Sequence, residues 1–193
     1  MSARRTEKAE RSGTQGIALF TRPFYYLRHG QTETNAYRLV AGSLHVDLTP
    51  LGREQAHAAA KVLASAPITH IYSSPLKRAR HTAEPIAAEL GLPVSIIAEL
   101  AERNWGDLEG KPRGSRRKGI MPSGAETTEA FTARVLSAFA QIDTDVPLVI
   151  AHSGVFRVLC RTLDIVESED AVANALPLRF EPLATGGWKL EHI

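Results

Sequence analysis

An arginine, a histidine and a glycine directly follow an apolar run near the start of the chain. The run Phe24–Leu27 leads into Arg28, His29 and Gly30. An imidazole can act as a covalent nucleophile, and a guanidinium group offers a fork of donors that matches the oxygens of a phosphate. A chain that only had to turn there could do so with Asn-Gly or Asp-Gly. The pair therefore indicates chemistry on an anion.

Three more predicted strands end close to charged or imidazole side chains. Arg78 lies in SSPLKRARHTAE after one of them, and His152 lies in AHSG after another. Between them, ELAERNWGDLEG carries three candidate acids, Glu99, Glu102 and Glu109. Phosphoryl transfer needs a nucleophile, compensation of the charge on the equatorial oxygens, and an acid that protonates the leaving oxygen. Two arginines, two histidines and a glutamate would meet that need at one edge of a sheet.

The elements that must position these groups alternate between short apolar runs and longer helical patterns. Strands are predicted at PFYYL, ITHIYSS, PVSII and PLVIA, with ALPLRFEPL and GWKLEHI as closing strands. The segments between the first strands have the apolar spacing of helices. This order predicts an α/β fold, a three-layer sandwich with a mostly parallel central sheet and helices on both faces. Ligands bind such sheets beyond the carboxyl ends of the strands, which is where the polar groups fall.

Local signals predict where two of the helices begin and end. Thr49 is the expected N-cap of one helix. Ser74 is the expected N-cap of the next helix, which Gly91 is expected to close. Pro85 is expected to kink or restart that second helix, because a proline inside a helix removes a backbone donor.

Composition limits the kind of protein. The chain has 193 residues, 44% of them hydrophobic, a formal charge of +2 and a single cysteine, Cys160. The charge is too small for a nucleic-acid-binding face, and no apolar run has the roughly 20 residues of a membrane span. One cysteine excludes an intrachain disulfide and fits a reducing compartment. We therefore expect a cytoplasmic protein without a nucleic-acid or membrane partner.

The chain is expected to have a simple domain organisation. Residues 1–16 mix basic residues with glutamates and have little to bury, which predicts a disordered N-terminal tail. Residues 17–193 are expected to form a single α/β domain, with a short basic loop, residues 111–123, at the rim of the site. No HExxH or paired-cysteine spacing occurs, so no metal is expected.

Four segments resemble, in the same order, the motifs of the histidine phosphatase superfamily, in its phosphoglycerate mutase-like family. The segments are LRHGQTETN, SSPLKRARHTAE, LAERNWGDLEG and IAHSG, and the resemblance runs from Leu27 to about Arg157. The tripeptide RHG alone is a weak signal, whereas four ordered motifs at strand ends are specific. The resemblance implies a phosphatase-branch enzyme, a metal-independent phosphomonoester hydrolase that needs no cofactor and acts through a phosphohistidine.

The resemblance also implies roles for the matched residues. His29 would be the nucleophile, and Glu102 would protonate the leaving group and later activate water. Arg78, rather than Arg80, holds the family's arginine position. The phosphoryl group would be bound by Arg28, Arg78, His152 and Asn35. Further substrate contacts would come from Thr32, Gly42, Arg103, Ser153, Arg116 and Arg117. The nearby arginines should lower the pKa of His29 and keep its imidazole neutral.

Two other functions stay open. The family also contains mutases, and the pair Arg116-Arg117 is similar to their substrate-binding arginines. Mutases carry a longer insertion that excludes water, whereas this chain has only KPRGSRRKGIMPS, which favours a phosphatase. The alternative is a cofactor-dependent phosphoglycerate mutase, which would need a bisphosphoglycerate primer. The third hypothesis is a non-catalytic phosphate-binding module.

The sequence leaves the ligand open. The basic loop is either a solvated loop or a rim that attracts a substrate with a second phosphate or a carboxylate. The expected partner is a small phosphorylated metabolite, and a phosphoprotein stays open as a substrate. The matched motifs are expected to bind only the phosphate group, so they do not identify the substrate. The sequence does not indicate the oligomeric state either.

Overall fold

The computed structural model describes residues 17–117, 119–166 and 172–193. The tail predicted to be disordered, residues 1–16, lies outside the described residues. In the described part of the chain, no helix has both the length and the apolar character needed to cross a membrane.

A six-stranded sheet forms the centre of the fold. Its strands are β1 (Phe24–Arg28), β2 (His70–Ser73), β3 (Val94–Ile96), β4 (Pro147–Ala151), β5 (Pro177–Pro182) and β6 (Trp188–His192). Their order across the sheet is β3-β2-β4-β1-β5-β6. The first four strands along the chain run parallel, whereas β5 pairs antiparallel with both β1 and β6. The prediction of a mostly parallel sheet is confirmed, and the two closing strands form its antiparallel edge.

Helices cover both faces of this sheet. They are α1 (Glu33–Ala36), α2 (Pro50–Leu63), α3 (Lys77–Leu90), α4 (Thr128–Ala140) and α5 (Ser153–Thr162). One buried cluster joins α4 and α5 to the face that carries Tyr26 and Val149. A second cluster joins α2 and α3 to the face that carries Leu27 and Ile150. Because neighbouring residues of a strand point to opposite faces, β1 and β4 need continuous apolar runs to fill both clusters.

The beginning of α2 agrees with the prediction, and that of α3 does not. The Thr49 hydroxyl accepts a hydrogen bond from the backbone N–H of the third residue of α2 at 3.0 Å, so this N-cap is confirmed. The helix α3 begins at Lys77, and its N-cap position is Leu76, so Ser74 is not its cap. The Ser74 hydroxyl instead accepts from the Leu76 N–H at 3.2 Å, which forms a turn ahead of the helix.

The course of α3 differs from the prediction at one other position. The helix is continuous from Lys77 to Leu90 and is not interrupted at Pro85. Ala83 and Ile86, on either side of the proline, are buried against the sheet, and this packing holds the helix together across the missing N–H. Gly91 closes the helix as predicted, with a left-handed φ of 64°.

We expect the contact between β1 and β5 to be a main source of stability. Phe24 and Phe180 are paired across the two strands, and their rings stack 4.6 Å apart. Phe180 is fully buried, so Phe180→Ala should lower the free energy of unfolding by about 3–5 kcal/mol in urea titrations. Leu183→Ala is the control, because that side chain is 44% exposed and its loss should cost about 0.5 kcal/mol or less. Equal losses for the two variants would contradict the expectation.

Candidate active site

The carboxyl ends of β1, β2 and β4 bring the predicted histidines and arginine together. The backbone N–H of His29 donates to the carbonyl of Ala151 at 3.0 Å, which extends the pairing of β1 with β4. His152 directly follows β4 and is the N-cap position of α5. The rings of His29 and His152 lie 5.2 Å apart, centre to centre. Arg78, in the first turn of α3, places its Nε 3.1 Å from His29 Nε2.

The His29 ring has one protonated nitrogen and one with a lone pair. Its Nδ1 lies 2.8 Å from the carbonyl oxygen of Gly30, and because a carbonyl only accepts, Nδ1 carries the proton. Nε2 then holds a lone pair, which accepts from Arg78 Nε. Burial, followed by the charges of Arg78 and Arg28, lowers the pKa of His29 well below its usual value. The predicted direction is confirmed, with burial as the larger cause.

Arg78 is a buried charge held by three acceptors. It is 1% exposed, and besides His29 it donates from Nη1 to the carbonyl of Leu44 at 2.7 Å and from Nη2 to the carbonyl of Gly42 at 2.8 Å. Burial lowers the pKa of Arg78 to about 10, so the group stays protonated at neutral pH. Each Nη atom carries two hydrogens, so one on each remains available for a ligand oxygen.

Two further donors beside His29 lack an acceptor. Arg28 donates from Nη1 to the carbonyl of Val172 at 2.7 Å, and its buried Nε has no partner among the described residues. His152 Nε2 lies 2.7 Å from the Ser74 hydroxyl, and the buried Nδ1 has no partner either. Burial lowers the pKa of His152 well below its usual value, so its ring is neutral. A hydroxyl that donates to Nε2 leaves Nδ1 as an N–H donor, and an anion would satisfy both groups.

Glu102, in the loop after β3, lines a cavity that is also lined by His29, Arg28 and Arg78. Its Oε2 accepts from the backbone N–H of Gly154 at 2.9 Å and lies 3.5 Å from the Ser153 hydroxyl, while Oε1 accepts from the N–H of Arg103 at 2.8 Å. The absence of a Cβ at Gly154 leaves the space that the Glu102 carboxylate occupies. Arg134 of α4 supports the loop by donating to the backbone carbonyls of residues 99 and 101 at 2.7 and 2.9 Å.

Of the three glutamates considered as acids, Glu102 lines the cavity, whereas Glu99 and Glu109 do not. Glu109 is a structural carboxylate: it accepts from the N–H of Ser43 at 2.7 Å and from the N–H of Trp105 at 3.0 Å. It thereby joins the loop that Arg78 holds to the loop that carries the acid. Gly42, with a φ of 52°, leaves the space that the Glu109 side chain occupies.

Asn35 lines the cavity, and Thr32 positions it. Thr32 is fully buried and caps α1, and its backbone N–H and hydroxyl both lie within 3.1 Å of Asn35 Oδ1. Asn174, which the sequence analysis missed, donates from its side-chain amide to the same Oδ1 at 3.2 Å and to the His29 carbonyl at 2.9 Å. With its oxygen occupied, the Asn35 amide has its NH₂ to offer to a ligand.

The basic loop forms part of the cavity wall. The guanidinium of Arg116 stacks on the Trp105 ring, 3.8 Å from its centre, and lines the cavity. Arg103 lies 4.4 Å from the same ring but bonds to the Glu126 carbonyl instead of lining the cavity. Arg117 is exposed and does not line the cavity. Gly42 and Ser153 do line it, as predicted.

Three further arginines line the cavity, namely Arg38, Arg113 and Arg157. Arg113 belongs to the basic loop that was predicted at the rim, whereas Arg38 and Arg157 were not anticipated. Arg157 could have been found, because it lies four residues after Ser153 on α5 and therefore on the same helix face. Arg38 could not, because its place depends on pairing between distant loops: its carbonyl accepts from the backbone N–H of Arg113 at 2.8 Å. Within the described ranges, no cluster of three or more His, Cys, Asp or Glu side chains could hold a metal ion.

The fold and the site together define an α/β protein with a cationic, histidine-containing site at the carboxyl ends of its parallel strands. Residues 24–176 match the model of the histidine phosphatase superfamily (branch 1), and the chain belongs to that family. The resemblance seen in the four motifs is thereby confirmed.

The chain is similar to proteins named as phosphatases and as mutase-like. It is 51% identical over 84 residues to glucosyl-3-phosphoglycerate phosphatase of Mycolicibacterium vanbaalenii, which covers 44% of this chain and 37% of that protein. It is 36% identical over 154 residues to phosphoglycerate mutase-like protein 4 of Arabidopsis thaliana, a match that covers 69% of this chain and 67% of that protein. The structure of a mycobacterial glucosyl-3-phosphoglycerate phosphatase in complex with VO3 superposes on this chain with a TM-score of 0.71 at 27% identity. The match covers 89% of this chain and 98% of that structure. The family and these phosphatase-named relatives support a phosphatase enzyme.

We expect the two buried histidines to make stability fall with acid. The lowered pKa values of His29 and His152 mean that below pH 6.5, their ordinary pKa, the unfolded chain binds protons that the folded chain does not. Stability should therefore be complete above this pH and fall below it, by up to about 1.4 kcal/mol per pH unit for each histidine. Urea titrations at pH 7.5, 6.5 and 5.5 measure this slope. His29→Gln and His152→Gln should each reduce it, and His57→Gln, at an exposed position, should not. An unchanged slope in both buried-site variants would contradict the assignment of neutral rings.

Proposed function

We propose that this chain is a phosphomonoester hydrolase that works through a phosphohistidine on His29. The observation that carries the proposal is the state of this ring: Nδ1 is bonded to the Gly30 carbonyl, so the lone pair lies on Nε2, where it accepts from Arg78 Nε until a phosphoryl group takes the place of that donor. A neutral imidazole in that position is a nucleophile, and the arginines compensate the charge of the group it attacks.

The reaction proceeds in two displacements. In the first, His29 Nε2 forms a bond to phosphorus, the bond to the ester oxygen breaks, and Glu102 gives its proton to the departing oxygen. In the second, a water oxygen attacks phosphorus, the water proton passes to the Glu102 carboxylate, and the bond to Nε2 breaks. Inorganic phosphate leaves, and both residues return to their starting states. The position of Glu102 in the cavity supports this double role. The N–H groups of Arg103 and Gly154 fix the side chain there.

The phosphoryl oxygens are bound by the donors around His29. Arg78 offers one N–H from each Nη atom, Arg28 its unpartnered Nε–H, and His152 its unpartnered Nδ1–H. Asn35 adds its side-chain amide from the cavity wall. These groups are fixed before a ligand arrives, because each side chain is already bonded to backbone or to a neighbouring side chain. Donors that need no reorganisation stabilise developing charge most effectively.

Hydrolysis is favoured over transfer to a second hydroxyl because part of the cavity lining is exposed to solvent. Arg113, Arg116 and Arg157 line the cavity and are all exposed, so water reaches the position beside Glu102. The partner is a small phosphorylated metabolite. The mutase stays the alternative, since some relatives are named as mutases or as mutase-like. A non-catalytic binding module would not need Glu102 beside the phosphate.

The role of Glu102 can be tested through the leaving group. For an alkyl phosphate, Glu102→Gln should lower kcat/KM by about 10²–10⁴-fold, because an alkoxide must be protonated as it leaves. For p-nitrophenyl phosphate the loss should be about tenfold or less, since nitrophenolate leaves unprotonated. The control is Glu99→Gln, a neighbouring glutamate outside the cavity, which should retain kcat/KM for both substrates. Equal losses of Glu102→Gln on both substrates would contradict the role of proton donor.

Phosphorus NMR separates the phosphatase from the mutase. With 3-phosphoglycerate, a trace of 2,3-bisphosphoglycerate and a chelator, we expect inorganic phosphate to accumulate, because the phosphohistidine is open to water and the proposed chemistry uses no metal. His29→Gln should release none, which excludes a contaminating phosphatase. Conversion into 2-phosphoglycerate with little free phosphate would identify a mutase, and loss of activity on chelation would contradict metal independence.

A further inference from the structure

The proposed acid, Glu102, lies in a cavity that is rich in arginine. Among the described residues that line this cavity of about 720 Å³, six are arginines and Glu102 is the only acid. A carboxylate that moved into an ion pair with one of these arginines would be drawn away from the leaving oxygen, and the opposite charge would oppose its protonation. The position of the loop that carries Glu102 therefore matters for the proposed chemistry.

This loop has little regular structure of its own. A short 3₁₀ turn, Ala98–Leu100, precedes Glu102, and residues 102–104 belong to no helix or strand. The backbone carbonyls of residues 99, 101 and 102 instead converge on one side chain, Arg134 of α4. Arg134 does not line the cavity, so it contacts the loop from the side away from the substrate.

All five N–H groups of the Arg134 guanidinium have an acceptor. Nη1 donates to the carbonyls of Glu99 and Ala101 at 2.7 and 2.9 Å. Nη2 donates to the Glu102 carbonyl at 3.4 Å and to Glu126 Oε2 at 2.7 Å, and Nε donates to Glu126 Oε1 at 2.9 Å. The paired bonds to the Glu126 carboxylate fix the orientation of the guanidinium. Its remaining hydrogens therefore hold the loop in one position.

Glu126 holds the same loop on the other side of Glu102. Its backbone N–H donates to the carbonyl of Asn104 at 3.0 Å, and its own carbonyl accepts from Arg103 Nε at 2.9 Å. Arg134 therefore fixes the backbone up to Glu102, and Glu126 fixes the two residues directly after it. We call Arg134 and Glu126 the loop clamp.

The loop clamp rests on the hydrophobic core. Arg134 belongs to α4, in which Val135 and Phe139 are fully buried. The side chains of Arg134 and Glu126 are only 26% and 17% exposed, so water competes little for their hydrogen bonds. A movement of the loop would have to break these bonds or displace the helix.

We propose that Arg134 and Glu126 are positioning residues for Glu102, because they hold its carboxylate where it can exchange a proton with the leaving oxygen and with the attacking water. The inference rests on the proposed function, since it takes Glu102 as the acid and the base. Neither residue of the clamp lines the cavity. Loss of the clamp should therefore impair proton transfer and leave phosphate binding and attack by His29 intact.

The effect of removing the clamp should depend on the leaving group. Arg134→Gln should lower kcat/KM about 10- to 100-fold on phenyl phosphate, because phenoxide has to be protonated at neutral pH and a shift of about 1 Å at the reacting groups can cost 10²-fold. On p-nitrophenyl phosphate the loss should be about threefold or less, since nitrophenolate leaves unprotonated. Both substrates are measured with one preparation, so a smaller folded fraction lowers both values equally and does not change their ratio.

Two further variants separate positioning from folding. Arg134→Lys keeps the charge but has three donors instead of five, so it should recover only part of the activity on phenyl phosphate. Arg161→Gln is the matched control, an exposed arginine of α5 outside the cavity, and it should keep kcat/KM on both substrates. Urea titrations follow the stability of each variant.

A double variant tests whether the clamp acts through Glu102. Once Glu102→Gln has removed the proton donor, adding Arg134→Gln should lower kcat/KM on phenyl phosphate by no more than about twofold. Independent effects of the two substitutions would instead multiply.

The outcomes distinguish this inference from the proposed function. If the loss in Glu102→Gln depends on the leaving group but Arg134→Gln affects both substrates equally, or if the two losses multiply in the double variant, the inference is overturned and the function stands. If Glu102→Gln shows no dependence on the leaving group, or if no phosphoester is hydrolysed, the proposed function fails. Hydrogen exchange of residues 100–105 then decides on the clamp. Faster exchange in Arg134→Gln than in Arg161→Gln supports it, and equal exchange overturns it.

Discussion

Arg78 carries a full positive charge with 1% of its surface exposed, and the arrangement of the site depends on how that charge is held. Moving an ion of this size out of water costs several kcal/mol, so the acceptors around it have to be fixed and well placed. The carbonyls of Gly42 and Leu44 supply two of them and the His29 ring the third. One side chain therefore sets the position of the nucleophile and of the loop across the cavity from it.

Burial is the larger reason why the ring of His29, the proposed nucleophile, stays neutral, and the charge of Arg78 is the next. An imidazolium beside Arg78 and Arg28 would be a third cation in a buried space, so the ring stays neutral and keeps its lone pair. The hydrogen bond from Nδ1 to the Gly30 carbonyl leaves that lone pair on Nε2. Glu109 fixes the position of the loop that carries Glu102, because its carboxylate joins that loop to the loop bound by Arg78. His29 and Glu102, the proposed nucleophile and acid, come from different parts of the chain, yet one connected set of hydrogen bonds holds the loops around them.

The parts of this frame that depend on local chemistry could be predicted from sequence, and the parts that depend on distant contacts could not. Thr49 caps α2 because its partner is three residues away, and His29 lies at the site because strand ends in a parallel sheet meet at one edge. The beginning of α3 was mispredicted because Ser74 is tied to His152, 78 residues along the chain. The cavity residue Arg38 was missed for the same reason, since its place depends on pairing with Arg113, 75 residues further along the chain.

The excess of arginine over carboxylate in the cavity also has a consequence for turnover. Inorganic phosphate has the charge and shape that the donors around His29 accept, so the product of the proposed reaction is itself a ligand of the resting site. An anion that binds the folded chain alone stabilises it in proportion to the logarithm of its concentration. Under the proposed reaction, phosphate therefore competes with the ester for the resting site, and a rising phosphate concentration lowers the fraction of the protein that is free to bind substrate.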